Sequence, residues 1–180
     1  KGYNVNFDAK GGTNTADFSE TNVNGVIFDF ESGSAIYGAT NDTLKGISVF
    51  IGTDDDDFIY GSGKGNMTIY GVNPDRFATA GDKNTVTYEN YYGNSAGLGV
   101  KIDYVTGKSN DSIIVDKYGL GKDTLFSIQT VIASQASDAF VMSMSEDLSI
   151  DGLGGATNSM DYSKDQSAVA GLTVTVNALS

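Results

Sequence analysis

The sequence predicts an all-β chain, a parallel β-helix or β-roll-like solenoid of short strands, and three observations point there. The first is an internal duplication: Tyr37 to Gly71 recurs without a gap as Tyr118 to Gly152, at a constant offset of 81 residues. A repeat on this scale is the mark of stacked units that bury a core only against one another. The second is composition, with 23 Gly, one Pro, and only four Glu (Glu20, Glu31, Glu89, Glu146) among 23 acidic residues. Asp and Gly favour turns, whereas Glu favours helix. The third is apolar alternation over three or four residues between Gly and Asp, as in Phe58-Ile59-Tyr60 and Met67-Thr68-Ile69-Tyr70. Strands that short are unstable as isolated hairpins but make sense where each coil lends its edge to the next. A β-sandwich is the alternative, because the second copy is poor in Gly.

Taken in order, Gly2 to Asp8 opens the chain with the pattern that returns at Gly97-Leu98-Gly99-Val100-Lys101-Ile102-Asp103 and at Gly171 to Asn177. Val100 and Ile102 alternate with Gly99 and Lys101, as Val174 and Val176 do with Thr173 and Thr175, which is a half-buried strand. A second element, N-[ST]-x-x-[FY], stands at Asn14–Phe18, Asn84–Tyr88 and Asn158–Tyr162, followed by glycines at Gly25, Gly97 and Gly171. The series begins and ends part-way, so residues 1–180 are expected to form one repeat domain cut from a longer array.

Within the duplication, Asp-Thr-Leu recurs at 42–44 and 123–125, and Phe50/Val131 and Met67/Leu148 keep their apolar character. Lys122 to Ser134 carries Leu125, Ile128 and Val131/Ile132 at helical spacing. Its copy contains Gly46 and ends on Ile51-Gly52, so an extended coil with inward Leu and Ile is expected. Two insertions predict loops: the stretch around Asn73-Pro74-Asp75-Arg76, and the longer path from Gly97 to Tyr118.

The net charge of -12 and a pI near 4.1 disfavour nucleic acid and anionic membranes and favour cations as partners. Cys, His and Trp are absent, which excludes disulfides, thiolate sites and imidazole-ligated metals. No apolar run is long enough to span a bilayer as a helix. This balance suits a bacterial secreted or cell-surface protein.

The stretch Gly52-Thr53-Asp54-Asp55-Asp56-Asp57-Phe58-Ile59-Tyr60-Gly61-Ser62-Gly63 resembles the glycine-rich nonapeptide G-G-x-G-x-D-x-U-x of the RTX, or haemolysin-type, family. The resemblance runs from about Tyr37 to the C-terminus. Asp57-Phe58-Ile59 fits D-x-U, while Met67 stands where the next Asp would be. In the second copy Asp138 persists, but Ala133, Met142 and Met144 replace the glycines. Asp151 to Ser163 is similar to the D-G-G-x-G-x-D-x-x-D-Y-S close of RTX segments. The resemblance implies calcium held by Asp54, Asp55, Asp56 and Asp57 with carbonyls of Gly52, Gly61 and Gly63, in a structural module of an adhesin, surface layer or fibre that stacks on neighbouring modules or on copies of itself.

Two other readings stay open. Tyr91 and Tyr92, near Asn and Glu, could stack on glycans. A polysaccharide lyase or epimerase would have to work without His or Cys, from Asp103, Lys101 and Tyr104, or from Arg76 with Asp75. Duller roles fit each, so a non-enzyme is expected.

Overall fold

The computed structural model describes residues 4–75, 82–105, 111–142 and 148–163. These residues contain sixteen strands and no helix. In order they are β1 (Asn6–Asp8), β2 (Thr15–Asp17), β3 (Ile27–Asp29), β4 (Ser34–Tyr37), β5 (Thr40–Lys45), β6 (Val49–Ile51), β7 (Phe58–Tyr60) and β8 (Thr68–Tyr70). There follow β9 (Thr85–Thr87), β10 (Leu98–Val105), β11 (Ser112–Asp116), β12 (Lys122–Phe126), β13 (Thr130–Ile132), β14 (Ser137–Val141), β15 (Ser149–Asp151) and β16 (Ser159–Asp161).

They build two mixed sheets of eight strands, ordered β1-β5-β4-β3-β7-β9-β13-β15 and β2-β6-β8-β12-β11-β10-β14-β16. The chain passes from one sheet to the other between most successive strands, and these coils pair in parallel. Two antiparallel meanders interrupt the winding, β3-β4-β5 in one sheet and β10-β11-β12 in the other.

A numerical relation governs both sheets. Adding seven to the strand numbers β1-β5-β4-β3-β7-β9 gives β8-β12-β11-β10-β14-β16, the order found in the opposite sheet, and β2-β6-β8 becomes β9-β13-β15 in the same way. Seven strands with a three-stranded meander carry the chain to the other sheet, so equivalent residues of the two copies face each other across the core. Phe50 on β6 and Val131 on β13 both point inward and are fully buried, while the neighbouring Ile51 and Ile132 are half-buried on opposite outer faces.

The core lies between the sheets as aligned rows. In one, Phe28, Ile59, Val86 and Val131 are successive ladder partners. In the other, Ala16, Phe50, Ile69, Leu125 and Ile113 align. Full burial of each large apolar side chain contributes roughly 1.5–3 kcal/mol, and a one-residue slip would turn a whole row outward, so this pattern fixes the register. Phe28 stacks on Phe50 across the interior with centroids 5.1 Å apart.

The helical spacing in Lys122–Ser134 resolves into β12, a turn and β13. Ser127 in that turn has φ 54°, and its counterpart Gly46 has φ 74°. A left-handed residue at both positions breaks the helix that the apolar spacing alone would allow. The match of Gly25 with Gly97 shifts by two residues: Ile27 pairs with Phe58 as Lys101 pairs with Ala139, so Gly25 corresponds to Gly99. Arg76, Met144, Gly2 and the strand expected from Gly171 to Asn177 lie outside the described residues.

Candidate functional site

The repeated aspartates are the chemical pattern of this molecule, and they fall into two sets. Asp57 and Asp138, 81 residues apart, sit in matching cradles. The Asp57 carboxylate accepts the Val26 amide at 2.7 Å, the Thr53 amide at 2.8 Å and the Thr53 hydroxyl at 3.1 Å. Asp138 accepts the Val100 amide at 2.7 Å, the Ser134 amide at 3.2 Å and the Ser134 hydroxyl at 2.7 Å. Their own amides donate to Asn84 and Asn158, each at 2.9 Å.

Those asparagines open the N-[ST]-x-x-[FY] elements, and their Nδ2 groups complete the staple. Asn84 donates to the Ser127 carbonyl and Asn14 to the Gly46 carbonyl, the two left-handed turn residues. Asn84 is fully buried. A buried amide left unpaired costs about 1–3 kcal/mol, so each Asp–Asn pair closes what the tight turns would leave open. Gly99 is required beside Asp138, because a Cβ there would strike both the Asp138 carboxylate and the Ser134 hydroxyl.

The second set is Asp42 and Asp123. Asp42 accepts the Val5 amide at 2.7 Å and the Tyr37 hydroxyl at 2.6 Å. Asp123 accepts the Met67 amide at 3.0 Å, the Tyr88 hydroxyl at 2.7 Å and the Lys117 ammonium at 2.6 Å. Lys117 also donates to the Ser62 carbonyl at 3.1 Å. Both members of the Lys117–Asp123 ion pair have fully buried side chains. Met67 precedes β8, Tyr88 follows β9, and Ser62 follows β7, so this cluster ties three coils to the second meander.

Burial sets the proton affinities here. It pushes the Asp57 carboxyl up to about 6, against the opposing pull of the Val26 and Thr53 donors. Burial raises Asp138 as well, and Asp123 despite Lys117 beside it. The Tyr88 hydroxyl is pushed well above its ordinary value by burial and by the Asp123 charge.

The four aspartates expected to gather around calcium are not brought together. Asp57 points inward and is buried, whereas Asp54, Asp55 and Asp56 are exposed. Asp56 accepts the Lys83 amide at 2.7 Å, and the Asp55 amide donates to Thr53. Among the described residues no three acidic side chains converge in a way that could hold a metal ion. Gly52 packs against the Asp57 carboxylate and the Gly71 carbonyl, while Gly61 and Gly63 lie flat against the rings of Tyr88 and Tyr91. These glycines make room for side chains.

Tyr91 is buried and its hydroxyl is the one buried side-chain polar atom without a hydrogen-bond partner among the described residues. It lines a cleft of about 530 Å³ with Asp29, Glu31, Tyr60, Lys64 and Asn90. Tyr92 is 76% exposed and stands outside that lining. Of the enzyme candidates, Lys101 and Asp103 share an outer face with 3.8 Å between charges, while Tyr104 points into the core. Asp75 is exposed in the turn after Pro74.

No protein-family model matches this chain, and no curated protein matches it in sequence. The recurrence of Asn at fixed places was visible in the sequence, yet its role was not. Asn84 acts on Asp57, 27 residues away, and only the coil-on-coil register makes them neighbours.

Proposed function

We propose that the chain is a structural module that builds and extends a stack of β-coils in a secreted or cell-surface assembly. The observation that carries the reading is at the two ends of the sheets. Phe7 continues the inward row of Leu44 and Met160 that of Phe140, yet they are 52% and 45% exposed. Among the described residues β1 and β16 each have one ladder neighbour, and each carries an exposed apolar side chain in line with the inward row. Such an end is a template for another coil of the same kind, supplied by a neighbouring module or a second copy.

Calcium belongs to this proposal only at the exterior loop of Asp54, Asp55 and Asp56, since Asp57 is occupied by internal donors. With a Kd of ~10⁻⁴ M, ~1 mM calcium would add about 1.4 kcal/mol there. It would stiffen the loop without creating the fold. No catalytic role is proposed. A glycan-binding reading keeps one supporting observation, the unpartnered Tyr91 hydroxyl in the cleft wall, and a glycan array with and without Tyr60→Ala tests it.

The experiment for the main reading is sedimentation over a wide concentration range, comparing the protein with Phe7→Lys and Met160→Lys variants. Reversible end-to-end association that either lysine suppresses is expected. A monomer at all concentrations, with or without calcium, contradicts self-stacking.

A further inference from the structure

The Lys117–Asp123–Tyr88 cluster contains more chemistry than a clamp needs. Among the described residues Lys117 is the only lysine with a fully buried side chain, and by strand register its equivalent in the first copy is Tyr37, whose hydroxyl donates to Asp42. The duplication therefore kept the aspartate and its backbone donor and placed an amine beside one of them only. Nζ lies 2.6 Å from Asp123 Oδ1, with both side chains shut off from water. The other oxygen, Oδ2, accepts the Tyr88 hydroxyl at 2.7 Å.

We propose that Lys117 and Asp123 join in an intramolecular isopeptide bond between Nζ and Cγ. Three conditions for amide formation meet in this place. The amine is already in contact with the carboxyl it attacks, which replaces an encounter by a small side-chain rotation. Water, the reagent of the reverse reaction, is excluded. The Tyr88 hydroxyl is aimed at the oxygen on which negative charge develops when Nζ adds to Cγ, in the manner of an oxyanion donor.

The step balances without any co-reactant. Within the ion pair a proton passes from the ammonium to Oδ1, leaving a neutral amine beside a neutral acid, a transfer that burial of Asp123 assists. The nitrogen lone pair forms the C–N bond, and the C–Oδ1 bond breaks. Oδ1 departs as water carrying two of the three original ammonium protons, and Oδ2 stays as the amide carbonyl oxygen. The product replaces two buried charges, whose desolvation is costly, by a neutral amide that Tyr88 can still hydrogen-bond. The bond links the end of β11 to β12 at the point where Ser62 and Tyr88 hold the meander to the coils. This inference does not depend on how the ends of the stack associate.

The test is the intact mass of the full chain in denaturant. The expected mass is one water below that of the sequence, and one only, because among the described residues the donors to Asp42 are the Val5 amide and the Tyr37 hydroxyl, with no side-chain amine. A tryptic digest should yield a branched peptide joined at Lys117 and Asp123, with no cleavage after Lys117. Lys117→Arg should restore the full sequence mass. Tyr88→Phe should leave a larger unlinked fraction at a given time after synthesis, and an unchanged fraction would remove Tyr88 from the step. A wild-type mass equal to the full sequence, with Lys117 open to amine reagents after unfolding, overturns the proposal.

Discussion

Asp42 and Asp123 occupy the same place in the two copies and accept the same bond, from the amide of the residue just before a coil strand. Their surroundings differ. Asp42 is on β5, next to the terminal strand β1, and one tyrosine hydroxyl suffices to satisfy its second oxygen. Asp123 is on β12 in the middle of its sheet, fully buried, and takes a tyrosine from across the core together with a buried lysine. Depth in the stack, rather than the repeat itself, decides how much compensation a carboxylate needs.

That contrast can be broken most forcefully at Asp123. Replacing it by Ala leaves the Lys117 charge buried without its partner, and a loss of about 3–5 kcal/mol is expected in urea denaturation. Adding Lys117→Met should recover a large part of it. No recovery would show that packing, not the orphaned charge, sets the cost.

Next in size are Asp57→Ala and Asp138→Ala. Each strands two buried amides, for an expected loss of roughly 2–4 kcal/mol, similar in the two copies. A loss confined to Asp57 would mean that the two cradles are not equivalent. Asp42→Ala, near the rim, should cost only about 1–2 kcal/mol by the same measurement. If it equals Asp123→Ala, depth is not the deciding variable.

The acid side of the stability curve offers a finer probe. Asp57 in the folded state holds its proton up to about pH 6, above the unfolded carboxyl, so the folded form binds more protons in between. Its contribution is fully present below the unfolded value and is lost as pH rises through about 6. The melting temperature should therefore rise on acidification from pH 7.5 to 5, and Asp57→Asn should flatten part of that rise. A melting temperature that falls over this interval would contradict the burial of Asp57.

Much of this architecture was legible in the sequence. The 81-residue offset, short alternating runs such as Phe58-Ile59-Tyr60 and the Gly46 in one helical-looking copy together specify extended coils, because period two and left-handed turns leave little else. Passage of the copies to opposite sheets was not legible, since it follows from the odd number of strands per unit, which no local pattern displays. The aspartate run showed a similar limit. Four consecutive acids suggest a shared cation, but in a strand-entry turn consecutive side chains diverge, and Asp57 turned inward to Val26, a residue 31 positions earlier. Lys117 reads as an ordinary surface lysine before Tyr118-Gly119, and only the third dimension places it against Asp123 and Tyr88.

The account rests on the repeated aspartates acting as internal anchors of the stack. Thermal melting in chelator, comparing Asp57→Ala with the triple change Asp54→Asn, Asp55→Asn, Asp56→Asn, tests this most directly. Asp57→Ala should lower the midpoint by many degrees, while the triple change, on exposed side chains, should stay within about 0.5 kcal/mol of the parent. A triple variant that melts as low as Asp57→Ala, or lower, would contradict it.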